Sequence, residues 1–158
     1  MSSKLLLMTG KRRMQKKDSS VWEDVSEDLP SPPEIMPEWA AKEGSNWHRL
    51  SEFDILAKAE EMTGLTLELK YESLPMGVWG IHIVRRERGR IYVNSLLSLF
   101  WRRFAIFHEI YHLLNNTKGA SFWKNTFVSM DGIEKCADTF AWAAVSPEWI
   151  EGDYSDWT

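Results

Sequence analysis

Two histidines and a glutamate stand together in His108-Glu109-Ile110-Tyr111-His112. Residues four apart on a helix share a face, so both imidazoles reach one ion, while Glu109, one step round, meets the water such an ion holds. The chemistry this allows is hydrolysis by a metal-activated water. With only 4 histidines in 158 residues, shuffling the composition would give this pattern roughly 0.01 times per chain, by multiplying residue frequencies. Chance is a weak rival. Two helix histidines held by core contacts are the other explanation, and Glu109 argues against it, because a carboxylate in an apolar helix needs a partner or water.

A catalytic zinc takes three protein ligands and leaves a fourth position to water, so a third ligand is required. The remaining histidines, His48 and His82, are candidates, and so is a downstream carboxylate. Glu134 opens the expected last helix, and Asp138 follows one turn later on the same face. Glu134 suits the third ligand; Asp138 suits a hydrogen bond to the far nitrogen of a ligand histidine, which fixes its tautomer. An acidic pair at a helix start is ordinary in itself, favoured by the macrodipole. The demand for a third ligand is what singles this pair out. Tyr92, Tyr111 and His82 are candidates for the oxyanion donor, and Tyr92 and Tyr111 for contact with substrate.

These residues need elements to position them. Leu97, Phe100, Trp101, Phe104, Phe107, Ile110, Tyr111 and Leu114 recur three and four apart, which predicts a long helix over 98–115. Before it, Leu65, Leu67 and Leu69 alternate with polar residues, and 78–84 and 90–93 continue in that style, so a three-stranded sheet is expected, with a hairpin turn over 85–89. The strand 90–93, leading into the active helix, is the expected sheet edge for pairing with an extended substrate. A first helix over 51–63 has Ser51 as N-cap and Gly64 as stop. A last helix over 133–145 should end at Ser146-Pro147. Between the last two helices, 119–132 reads as a loop anchored by Phe122, Trp123 and Phe127.

Residues 1–38 differ in kind: a basic cluster at 11–17, an acidic one at 23–28, then Pro30, Pro32, Pro33 and Pro37. Such composition buries too little to offset its ordering entropy, so it reads as a flexible N-terminal extension, with the domain over 39–158. A formal net charge of -4 and a pI near 5.6 supply no positive field for a phosphate backbone, so no direct nucleic-acid contact is expected. No apolar run approaches the roughly 20 residues of a membrane span, and Leu5 to Met8 is too short for an export signal. One cysteine, Cys136, excludes an internal disulfide and fits a reducing, cytoplasmic setting.

Arg90-Ile91-Tyr92-Val93-Asn94, Arg102-Arg103-Phe104, the segment from His108 to Leu114, and Glu134, Ala137, Asp138, Phe140, Ala141 and Pro147 together resemble the ImmA/IrrE family of metallopeptidases. The resemblance implies an α+β, zincin-like domain: a small three-stranded sheet packed on the HExxH helix and a C-terminal helix that donates the glutamate. It implies one zinc ion per chain on His108, His112 and Glu134, with Glu109 as general base, and a protein substrate, a helix-turn-helix repressor. Tyr111 stands where the family has glycine, Asp138 where it has asparagine, and Trp142 to Ser146 replace its usual helix ending. The competing reading is a non-catalytic zinc-binding module that holds a regulator, as in a toxin and antitoxin pair; retention of Glu109 counts against it.

Overall fold

The computed structural model describes residues 2–7, 30–115 and 130–150. In chain order the elements are β1 (Ser2–Leu7), α1 (Glu38–Ser45), α2 (Glu52–Thr63), β2 (Thr66–Glu72), β3 (Val78–Arg85), β4 (Arg88–Asn94), α3 (Leu99–Asn115) and α4 (Met130–Ile150). The fold is α+β. The three expected strands form a mixed sheet, β4 antiparallel to β3 and parallel to β2, and β1 adds a fourth strand antiparallel to β3, giving the order β1-β3-β4-β2.

Local chemistry sets most boundaries. The Ser51 hydroxyl accepts from the Asp54 amide at 3.0 Å, capping α2, and Gly64 ends it in the left-handed region at φ 78. The hairpin turn is tighter than expected: Arg85 pairs with Arg88, leaving Arg86 at φ 58 and Glu87 to turn the chain. Gly89 therefore lies in β4, not in the turn. Its missing side chain makes room for Leu67 on β2, whose Cδ2 would lie 2.7 Å from a Cβ at that position.

Several expectations are corrected. Strand 90–93 is not a sheet edge, because β4 has β3 on one side and β2 on the other. The extension expected over 1–38 contains a paired strand at its start, and α1 begins at Glu38; residues 8–29 lie outside the described residues, as does most of the expected loop over 119–132. The last helix starts earlier, at Met130, and passes through Pro147 to Ile150. Proline orphans the carbonyl four residues back, here Ala143. That oxygen accepts from His48 Nε2–H at 2.9 Å and from the Ser146 hydroxyl at 3.1 Å, so the break is repaired. Beyond it, Glu148 takes a bidentate pair from Arg103 at 2.7 and 3.0 Å, and Trp149 packs tilted against Phe100 and edge-on against Trp101 and Trp142. These contacts hold the extra turn.

The core centres on α3, which is buried without a break from Phe104 to Leu114. Helices that are apolar all round belong in the middle of a protein. The sheet covers α3 on one side and α4 lies along it on another, while α1 crosses α4 so closely that a Cβ on Gly44 would stand 2.5 Å from that of Ala143.

Candidate metal centre

In the midst of this apolar helix three side chains are polar and buried: His108, Glu109 and His112, each at most 2% exposed. Glu134, in the second turn of α4 and not at its opening, reaches across to them. His108 Nε2 and Glu134 Oε1 are 3.0 Å apart, His112 Nε2 and Glu134 Oε1 3.3 Å, and the two Nε2 atoms 3.3 Å. Ligands placed at the vertices of a tetrahedron about 2.0–2.1 Å from a zinc ion would be about 3.3 Å from one another. The three donors thus already have the spacing of one face of such a site. Two imidazole nitrogens turned toward one carboxylate oxygen form a donor set suited to a divalent ion.

Asp138, one turn beyond Glu134, lies 2.8 Å from His108 Nδ1. That contact holds the imidazole with Nδ1 protonated and Nε2 toward the cluster. Without an ion, burial alone would push His108 down, but the hydrogen bonds to Asp138 and Glu134 outweigh it and hold its pKa up at about 9. Burial likewise pushes Glu134 up, and its bonds to His108 and His112 overcome this and hold it well below the usual carboxylate range. His112 is lowered, first by burial and then by the neighbouring His108 charge, against the opposing bond to Glu134.

Glu109 does not join this triangle. Its Oε1 is 2.6 Å from Nδ1 of His82 on β3, and its Oε2 is buried with no hydrogen-bond partner among the described residues. The backbone of β3 comes close here because residue 80 is glycine: a Cβ there would lie 3.3 Å from Glu109 Cγ and Oε2. The His82 ring also stacks on His112, with centroids 5.5 Å apart and planes at 21°. His82 is thus placed as the partner of Glu109 and neither as a metal ligand nor as a free oxyanion donor. His48, the other alternative ligand, is committed to the Ala143 carbonyl.

Neither of the two tyrosines expected at the substrate belongs to the donor cluster. Tyr111 is wholly buried between Trp39 of α1 and Phe140 of α4, and burial, followed by the neighbouring Cys136 thiol, raises the pKa of its phenol. Where the resembled family has glycine, this chain has filled a core position. Tyr92 pairs with Ile81 and so lies on the sheet face opposite His82, where Arg90 donates to its hydroxyl at 3.0 Å. With Arg85, Arg86 and Arg88 it lines a groove that contains none of the cluster residues.

What sequence reasoning missed was the seat of Glu109. The signal was the parity of β3: Gly80, His82 and Val84 share one face, and the two-residue period alone puts a histidine and a gap on whatever helix that face meets. Two motif residues prove structural. Asn94 donates to the carbonyls of Val78 and Leu74 and accepts from the Leu96 amide; Arg102 donates to those of Ser95 and Leu97. Together they fix the turn from β4 into α3.

Residues 67–148, just over half of the chain, match the model of a peptidase family, peptidase M78, described as the IrrE N-terminal-like domain. No curated protein matches the chain, and no solved structure does. No helix among the described residues is long and apolar enough to cross a membrane.

Proposed function

Because the chain belongs to the IrrE N-terminal-like peptidase family, we propose that it is a zinc-dependent endopeptidase with one ion held by His108, His112 and Glu134. The carrying observation is the convergence of those three donor atoms beside a separately seated carboxylate, Glu109. When bound, the ion supplies a Lewis acid and a water of lowered pKa.

The chain's own residues supply the rest. Asp138 orients His108, and Glu134 closes the ligand set from α4. His82 holds Oε1 of Glu109, which leaves Oε2 to take a proton from the attacking water and to deliver it to the leaving amine. Burial of these groups keeps competing water away and strengthens their electrostatics. A structural zinc takes four protein ligands and has no use for a base. Here the cluster among the described residues offers three, and a carboxylate stands beside it. That supports a hydrolase over a module that only holds a regulator.

On the resemblance, the substrate is a helix-turn-helix repressor, met in the reducing cytoplasm that one free cysteine fits. The test is Glu109→Gln, incubated beside wild type with a candidate repressor. The variant should keep its metal and its fold and lose hydrolysis by about 100-fold to 10,000-fold. A variant that relieves repression as well as wild type, at equal abundance, would overturn the peptidase reading even with zinc present.

A further inference from the structure

β3 is the strand nearest the chemistry, since Gly80 and His82 together seat Glu109 and His82 stacks on His112. On one side β3 is paired to β4; on the other it would present an open row of amides and carbonyls, the template on which an extended peptide adds itself to a sheet. In this structure that row is filled by the chain's own first residues. β1 runs antiparallel to β3 from Ser2 opposite Val84 to Leu7 opposite Val78, with Lys4 opposite His82 and Leu6 opposite Gly80. It also approaches α3 itself. An extended backbone in this place therefore passes directly beside the two β3 residues that hold the base.

Two further observations mark β1 as a removable occupant and not part of the shared scaffold. The family match begins at residue 67, so nearly all of β2, the whole of β3, β4 and α3, and nearly all of α4 lie in the common domain, while β1 lies outside it, as do α1 and α2. Its ladder is also short, six residues, and is broken by a register shift between Leu6 and Leu7, beside Gly80. A bulge leaves a residue unpaired and weakens the pairing locally.

We propose that the outer edge of β3 is a seat for an extended peptide and that Ser2–Leu7 occupies it as an intramolecular competitor, so that a substrate strand enters only when β1 leaves. This rests on the peptidase reading for the consequence, inhibition, but the binding event can be measured without any cleavage. A tethered segment acts at an effective concentration of up to about 1 mM, so a free peptide of about 0.1 mM affinity would bind about tenfold more weakly while the segment is seated.

The experiment uses the full-length, zinc-loaded chain with Glu109→Gln to prevent turnover, and as probe a fluorescently labelled peptide of the sequence of residues 2–7, followed by anisotropy. Neighbouring amides in a strand point in opposite directions, so Leu5→Pro with Leu6→Pro removes one donor facing β3 whatever the bonding register. That double variant should bind the probe about tenfold more tightly than its parent. A second variant, Ser3→Cys with Ile83→Cys and Cys136→Ser, joins a directly opposed pair; oxidation should abolish probe binding and reduction restore the parent's weak binding. Equal affinity of the proline variant and its parent, with unchanged near-ultraviolet circular dichroism, would overturn the proposal. So would equal binding by the oxidised and reduced cysteine variant, which stands as the test if the proline variant does not fold. The two readings fail separately. Strand competition without Glu109-dependent cleavage defeats only the peptidase; Glu109-dependent cleavage with no effect of either β1 variant defeats only the occupied edge.

Discussion

Raising the pH on the metal-free protein should cost it stability through one residue. In the folded chain His108 is buried at 1% exposure between Asp138 and Glu134, with its pKa held at about 9 against an ordinary value of 6.5. A raised histidine contributes stability that is complete below pH 6.5 and is lost as the pH climbs through 9. The difference between the two values corresponds to about 3 kcal/mol at 1.36 kcal/mol per pH unit. Glu134, held low by the same contact, is its other partner and is not added to it. The assay is urea unfolding in the presence of a chelator at pH 6 and pH 9.5, for wild type and His108→Gln, so that titrations common to both cancel. The wild-type advantage should shrink by about 3 kcal/mol between the two pH values. With zinc in excess that slope should vanish: the ion displaces the proton, so its apparent affinity rises about tenfold per pH unit until His108 is deprotonated and offsets the loss. A wild-type advantage that is flat or grows with pH in chelator would refute the placement of His108 between the two carboxylates.

Two other outcomes follow from the site and its scaffold. Glu134→Ala removes the one proposed ligand that α4 supplies among the described residues, so metal analysis should find much weaker zinc retention and peptide hydrolysis should be lost. Full retention would pass the third position to another residue. Gly44→Ala drives a methyl group to within 2.5 Å of the Ala143 side chain and 2.8 Å of its backbone, and overpacking of that kind costs about 1–3 kcal/mol. Thermal unfolding should show a clear drop in Tm, and an unchanged Tm would mean that α1 and α4 part readily.

The pairing of residues within each helix of the candidate site could be read from the sequence because that geometry is local. His108 and His112 face one way by helical spacing, and the Asp138 contact follows from Glu134 by one turn of α4. The three strands and the caps of α2 were equally plain, since alternation, Ser51 and Gly64 act within a few residues. What escaped depends on contacts distant in sequence. Pro147 stops a helix by every local rule, yet the carbonyl it orphans is satisfied by the Ser146 hydroxyl and by His48, which is brought in from the far side of the chain. Pairing of Ser2–Leu7 is invisible beside a charged and proline-rich stretch, because its partner is β3. Its neighbours in the motif make Tyr111 a candidate for contact with substrate, whereas Trp39 and Phe140 draw it into the core.

The bond from His48 to Ala143 spans 95 positions, and that distance orders events in time. Contacts remote in sequence form late, after the loop between them has been closed at an entropic cost. The repaired stretch lies in α4, which bears Glu134, whereas the two histidines and the base lie on α3. As the chain emerges from synthesis, the histidine pair is made before α4 has been completed and tied down by the first half of the molecule. On the proposed ligand set, a nascent chain thus carries two of the three donors, and the third arrives together with the finished fold.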